Sequence, residues 1–421
     1  MAKKTEIDLL DKLNQINWDF EDYNSSKYPL DINSIPWYPA TFPAPIPKYL
    51  IALLSKQNDL VLDPFGGKGT TCIEALKQKR RFFYNDLNPH AVFIMRCILE
   101  TIDYQGDEKD LKALLNNDKM TLHANSPENL FREPYPGKNI DITNNLFGKD
   151  SLSKILQRGI NSEVVFWFHK TTIEQLVAIF DLIQSCNDSG LGIRKLAFVS
   201  ILKEVCSQRG HFSYITDNCK PKQIRYYNAV SAYLEMLERI ILACIDFKRQ
   251  YKFININDDC NDMIKESYVH FGNAKSLSLL NDKTVDLVVT SPPYLCAQDY
   301  ILTMRLNNLF YPEEGFVNLP FKEIAPRRLR RKPDIVESYY KDMELVIGEI
   351  HRVLKRNSYF CLVLGQGKGQ VSEDEKIVQK VSKNICQKGF VKLFQRTRTI
   401  NYRINRIGGV NQEDIIVFRK K

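Results

Sequence analysis

The 421-residue chain has no run of about twenty apolar residues, which excludes a membrane-spanning helix of ordinary length. Its opening, MAKKTEIDLLDKLNQINWDF, has no apolar signal core, so a cytoplasmic protein is expected. Ten cysteines are scattered with no CxxC pair. That spacing gives neither a zinc site nor a disulfide framework, and it fits a reducing compartment and no metal. Internal repeats and low-complexity segments are also missing, so nothing points to a repeat array. With 44% hydrophobic residues, the length suits one large domain with insertions, or two domains. Lys and Arg number 59 against 50 Asp and Glu, a net charge of +9 and a modest bias toward polyanionic partners.

The pattern along the chain divides into three parts. Residues 1–97 begin polar, become Pro-rich in SIPWYPATFPAPIPKYLIALLSK, and continue through strand, Gly-rich turn, helix and strand. The strands are placed at 60–62 and 82–85 and the helix at 70–77, a βαβ unit that implies a parallel sheet. Residues 98–265 carry apolar positions at helical spacing, as in EVVFWFHKTTIEQLVAIFDLIQSC and NAVSAYLEMLERIILACIDFKRQ, and read as a mostly helical insertion. Residues 266–421 return to strand character at ESYVHFGNAKSL, KTVDLVVTSPPY and YFCLVLGQ. Their last pieces, FVKLFQRTRTINYR and EDIIVFRKK, read as an antiparallel pair at the sheet edge.

Two short stretches carry chemistry. DPFGGKGTT (63–71) follows a strand and opens a helix. Gly66, Gly67 and Gly69 permit a tight turn and close approach of a ligand to the backbone, and the helix start offers free N–H groups. The spacing matches neither the phosphate-binding P-loop nor G-x-G-x-x-G. A carboxylate at Asp63 suits a cationic amine, and Asp86 at the next strand end can accept from ribose hydroxyls. A nucleoside bearing an ammonium group fits better than a pyrophosphate. The second stretch is TSPPY (290–294). Two prolines end the strand at 285–290, since neither can donate to a sheet ladder. They leave a rigid corner with one hydroxyl, free carbonyls and one ring.

Taken together, DPFGGKGTT and TSPPY resemble the S-adenosylmethionine-dependent DNA amino-methyltransferases, which modify the exocyclic nitrogen of cytosine or adenine. PKYLIALLSK is similar to the helix before that family's cofactor strand, FYNDLNP to its acidic ribose motif, and HFGNAKSL to its adenine-flanking segment, where Asn273 stands in place of a frequent Asp. The resemblance covers about half the chain. It implies a Rossmann-like class I methyltransferase of the α/β class, with a mainly parallel seven-stranded sheet, an antiparallel edge strand and a large helical insertion. It implies S-adenosyl-L-methionine as cofactor, bound by Asp63, Pro64, Phe65, Gly66, Gly67, Gly69, Thr70, Asp86 and Asn273. It places catalysis on Ser291, Pro292, Pro293 and Tyr294. The Ser form with a preceding Thr is typical of cytosine-N4 enzymes, so N4 transfer to double-stranded DNA by base flipping is expected, with adenine-N6 as the alternative. A companion restriction endonuclease is implied as a functional partner, and the enzyme is a monomer or a dimer. The cofactor motif precedes the catalytic one, and by analogy the spacer holds target recognition.

On this reading Ser291 and a proline carbonyl accept hydrogen bonds from the amine, and Tyr294 stacks on a flipped base. Cytosine-C5 chemistry is disfavoured, because no Pro-Cys pair occurs and Cys296 reads as a packing residue. PRRLRRK (326–332) suggests phosphate contacts by Arg327, Arg328, Arg330 and Arg331. The mixed segment SQRGHFSYITDNCKPKQIRYY suits base-edge contacts. Two rival functions remain. An RNA guanine-N2 methyltransferase would share both motifs but carry an N-terminal RNA-binding domain and a short motif spacing. A non-catalytic DNA-binding protein would need neither motif.

Overall fold

Short apolar runs closed by Gly, Pro and Asp set the strands of this chain, and the computed structural model arranges seven of them in one sheet. It describes residues 2–20, 31–36, 38–39, 41–125, 153, 155–208, 221, 223–251, 267–365, 377–399 and 412–421. The strands are β1 (Leu60–Asp63), β2 (Arg81–Asp86), β3 (Tyr268–Phe271), β4 (Val285–Thr290), β5 (Leu354–Gly365), β6 (Phe390–Thr399) and β7 (Gln412–Lys420). Their order is β3-β2-β1-β4-β5-β7-β6. All pairings from β3 to β5 are parallel, and β7 runs antiparallel to both β5 and β6. The two last strands thus form the expected antiparallel pair at the edge, with the reversed β7 slotted inside β6. This is the Rossmann-like methyltransferase architecture.

Burial on both faces explains the near-continuous apolar strands. In β5, Cys361 and Val363 pack toward one face, while Phe360, Leu362 and Leu364 pack toward the other. The first face is covered by α1 (Ala2–Gln15), α2 (Pro45–Leu54) and α3 (Thr70–Lys77), through Leu13, Leu50, Cys72 and Leu76. Helices Ile335–Val353 and Ile377–Gln387 cover the second. α1 also meets the far edge, where Glu6 pairs with Arg419 of β7 at 2.8 Å.

A separate helical core is built on α4 (Pro89–Ile102), α5 (Glu108–Asn125), α6 (Lys170–Ser185), α7 (Leu191–Ile201) and α8 (Ala229–Gln250). Its buried polar centre is Arg194, whose Nε donates to Asp118 at 2.9 Å, with the Tyr233 hydroxyl donating to the same carboxylate at 2.9 Å. α4 links the two cores: its N-cap Asn88 accepts from the His90 N–H, and Pro89 occupies the first turn, where its missing N–H costs nothing. Arg239 of α8 donates to the Ser34 hydroxyl at 3.0 Å, tying the helical core to the N-terminal arm.

Candidate active site

The chain leaves β1 toward β2 and β3 on one side, then returns to β4 on the other, so the topological switch point lies between β1 and β4. Open α/β sheets bind ligands outside the strand carboxyl ends at such a point. A pocket with a cavity of about 100 Å³, open to solvent at its mouth, sits there.

The Gly-rich turn forms its floor. Gly69 has φ +88°, and a Cβ there would lie 2.1 Å from the Met95 sulfur. A Cβ on Gly66 would lie 2.1 Å from the Tyr84 ring, whose hydroxyl donates to the Gly67 carbonyl at 2.6 Å. Strand β2 therefore shapes the turn, and glycine is required by contact at one position and by backbone angle at the other. Lys68 leaves the turn for the N-terminal arm, where its ammonium donates to the Asn33 carbonyl. Burial lowers its pKa to about 8.

Two carboxylates face the pocket. Asp86 accepts from the Gly67 N–H at 2.8 Å and the Asn88 N–H at 2.7 Å. Asp63 is buried and accepts from the Thr290 hydroxyl at 2.6 Å and the Phe65 N–H at 3.1 Å. Burial raises both pKa values from 3.8 to about 6, against the pull of these hydrogen bonds. Thr70 lines the same wall, and its buried hydroxyl has no protein partner.

Of the sequence-derived cofactor residues, Asp63, Pro64, Phe65, Gly66, Gly67, Thr70, Asp86 and Asn273 line the pocket; Gly69 lies just beneath as the N-cap of α3. Ser291 and Pro293 of the corner line it too, so stretches distant in sequence meet in one cavity. Pro292 is buried behind them. Tyr294 departs from the stacking expectation. It is buried at 9% exposure within the second-face core, and its hydroxyl donates to Glu413 at 2.8 Å. A ring packed on core side chains is a strut for the corner, not a free stacking surface.

Several walls escaped the sequence reading. Tyr38, Thr41 and Phe42 form a roof from the Pro-rich arm, which had been legible only as extended chain. Leu87, Asn88, Tyr300 and Ile301 add to the sides. Glu323 lines the pocket while accepting from the Ile301 N–H at 2.9 Å and from Arg328 at 3.1 Å. Burial raises its pKa to about 7. No local periodicity marks these residues; only the tertiary fold brings them in.

The basic run is not uniform. Arg328 is half-buried and belongs to the protein's own scaffold: its guanidinium contacts Glu323 and the Pro320 carbonyl, and its N–H donates to Asp299 at 3.0 Å. This corrects its expected phosphate role, since two acidic neighbours already engage it. Arg327 is half-buried, whereas Arg330, Arg331 and Lys332 are exposed. Most of the mixed segment at 207–227 lies outside the described residues. Among the described residues no cluster of His, Cys, Asp and Glu is placed to hold a metal, and no helix is long and apolar enough to cross a membrane. Cys296 is buried among core residues.

The sheet order and the switch-point pocket define an α/β protein of the Rossmann-like class, consistent with the methyltransferase fold. Comparison with known proteins narrows the class. Residues 3–96 match the family model N6_N4_Mtase, described as DNA methylase. Type II methyltransferase M.PvuII of Proteus hauseri is 38% identical over 89 residues, which are 21% of this chain and 26% of that protein. Type II methyltransferase M.BglI of Bacillus subtilis is 32% identical over 91 residues, 22% of this chain and 26% of that one. Type II methyltransferase M.MjaII of Methanocaldococcus jannaschii is 21% identical over 422 aligned positions, 85% of this chain and 77% of that one. The first two matches span about a quarter of those relatives. Over residues 3–96 the chain is therefore similar to the DNA methylases, and the relatives it matches are type II methyltransferases.

Proposed function

We propose that this protein transfers a methyl group from S-adenosyl-L-methionine to the exocyclic N4 amine of cytosine in double-stranded DNA, as the modification enzyme of a restriction-modification system. The observation that carries this reading is the meeting of Ser291 and Pro293 with Asp63, Asp86 and the Gly-rich turn in one switch-point pocket. Adenine-N6 is the alternative base; the Ser form of the corner favours cytosine.

The residues present suit such a cofactor. Asp86 has its carboxylate fixed by two backbone N–H groups and keeps lone pairs for ribose hydroxyls. Asp63, raised by burial, gains from a nearby positive charge. The unpartnered Thr70 hydroxyl can meet a polar ligand atom. Phe65 and Ile324 offer apolar surface for a base, with Asn273 beside it. When bound, S-adenosyl-L-methionine supplies an electrophilic methyl group on a sulfonium.

Ser291 then works on the other substrate. The amine lone pair of cytosine is conjugated into the ring. Hydrogen bonds from the amine to the Ser291 hydroxyl oxygen and a proline carbonyl draw the nitrogen toward tetrahedral geometry and aim it for in-line attack. The prolines hold those acceptors still. No strong general base is required, because the proton leaves after the nitrogen becomes cationic. For the DNA, exposed Arg330 and Arg331 take the phosphate role first read over the whole run. Val317 and Phe321, 75% and 80% exposed, precede the pocket-lining stretch at 322–324 and suit insertion where a flipped base leaves the stack. Residues 98–265 are assigned target recognition by analogy.

The test is methylation of plasmid DNA with labelled cofactor, followed by nucleoside mass spectrometry. N4-methylcytosine supports the reading. N6-methyladenine alone replaces the base and keeps the class; labelled RNA with unlabelled DNA overturns the substrate; no transfer with retained DNA binding leaves a binding protein.

A further inference from the structure

Behind the catalytic corner runs a buried chain of polar groups. The Ser291 hydroxyl donates to the Tyr294 hydroxyl at 3.3 Å, and the Tyr294 hydroxyl donates to Glu413 Oε2 at 2.8 Å. Glu413 Oε1 accepts from Arg398 Nη1 at 2.7 Å. Glu413 and Arg398 are 5% and 7% exposed and sit opposite one another in the β6–β7 ladder. The backbone ladder does not need them. A buried ion pair is often no more stabilising than apolar residues of similar volume. Its position, one phenol away from the pocket serine, asks for a reason.

Resting on the functional reading above, we propose that Glu413, held by Arg398, is a positioning residue for methyl transfer: it sets the direction of the Ser291–Tyr294 hydrogen bonds so that Ser291 meets the target amine as an acceptor. The amine offers two N–H donors. A carboxylate at the corner can only accept, but a hydroxyl can donate or accept. Serine therefore has an ambiguity that an acidic corner lacks. The Glu413 carboxylate removes it. Tyr294 has one proton and commits it to Glu413. Ser291 then commits its own proton to the Tyr294 oxygen. What remains toward the pocket is a lone pair.

Glu413→Gln tests this with nearly unchanged shape. Arg398 supplies donors, so the glutamine carbonyl turns to it and the glutamine NH2 turns to Tyr294. The tyrosine proton then points at Ser291, and the serine proton is released toward the amine. Donor facing donor should lower kcat roughly 100-fold, the lower end of the loss seen when one preorganised transition-state hydrogen bond is removed, while cofactor affinity by calorimetry stays within about twofold. Tyr294→Phe only frees the serine hydroxyl, so its loss is smaller. The double variant Tyr294→Phe with Glu413→Gln should match Tyr294→Phe alone, recovering activity relative to Glu413→Gln. A purely structural pair would instead show losses that multiply. Wild-type kcat in Glu413→Gln, or multiplied losses in the double variant, overturns the proposal. If Glu413→Gln does not fold, Glu413→Met with Arg398→Met removes the pair together; it should reproduce the Tyr294→Phe loss, and wild-type kcat there also overturns it. Wild-type protein that transfers no methyl group to DNA overturns the functional reading and this inference with it.

Discussion

On the proposed function, binding and stability pull in opposite directions at Asp63. Its carboxylate is 2% exposed, and burial raises its pKa from 3.8 to about 6. The folded value lies above the unfolded one, so the folded protein holds an extra proton between them. Stability from this group is therefore present at low pH, is lost as pH rises from about 4 to about 6, and stays lost above. A shift of that size corresponds to about 3 kcal/mol of penalty at neutral pH. Asp63→Asn removes the charge but keeps an oxygen for Thr290 and the Phe65 N–H, both of which use the same carboxylate oxygen. The variant should thus be more stable than wild type at pH 7.5, by about 1–3 kcal/mol once lost polar contacts are discounted, and close to wild type at pH 4 to 4.5, where Asp63 is protonated. Urea unfolding at both pH values reads this directly. Calorimetry should show the reverse for function: cofactor affinity at pH 7.5 falls at least about tenfold, because an amide cannot balance a positive ligand charge. Equal stability of the two proteins at pH 7.5, or undiminished affinity, would refute the account of Asp63 as a strained ligand carboxylate.

Three further outcomes are expected. Ser291→Ala should keep cofactor affinity yet reduce kcat on DNA roughly 10–100-fold, since only a transition-state contact is lost; a matched fall in affinity would assign Ser291 to binding. Gly69→Ala should destabilise by about 2 kcal/mol or more, from a strained φ and a contact with Met95; thermal unfolding of the variant at wild-type temperature would discard that steric argument. Replacing Arg330 and Arg331 by Ala should weaken binding to specific and random DNA alike and flatten log K against log salt by about 2; Arg328→Ala should instead lower the melting temperature, and an unaltered slope in the first pair would remove it from the phosphate contacts.

Much of the sheet was legible because its strands are short apolar runs with sharp ends. The helix at Thr70–Lys77 and the strand at Val285–Thr290 fall where glycines and prolines punctuate the chain. β1 and β2 extend to Asp63 and Asp86, which apolar patterning would leave outside. The two pocket acids are thus the last rungs of the ladder. Floor and corner of the pocket were legible because their motifs are contiguous. Its roof was not: Tyr38 and Thr41 come from a stretch without period, and Glu413 acquires meaning from Tyr294, a partner far along the chain. The arginine run shows the same limit. Its charges look alike in sequence, and only Asp299 and Glu323 distinguish Arg328 from Arg330.

The ion pair of Glu6 with Arg419 lays α1 against β7. Leu13 of that helix shares one apolar core with Val61 of β1 and Val417 of β7. The first helix is thus a clasp across strands that are far apart in the chain. Loosening it would unsettle together the strand that feeds the Gly-rich turn and the antiparallel pair that carries Glu413.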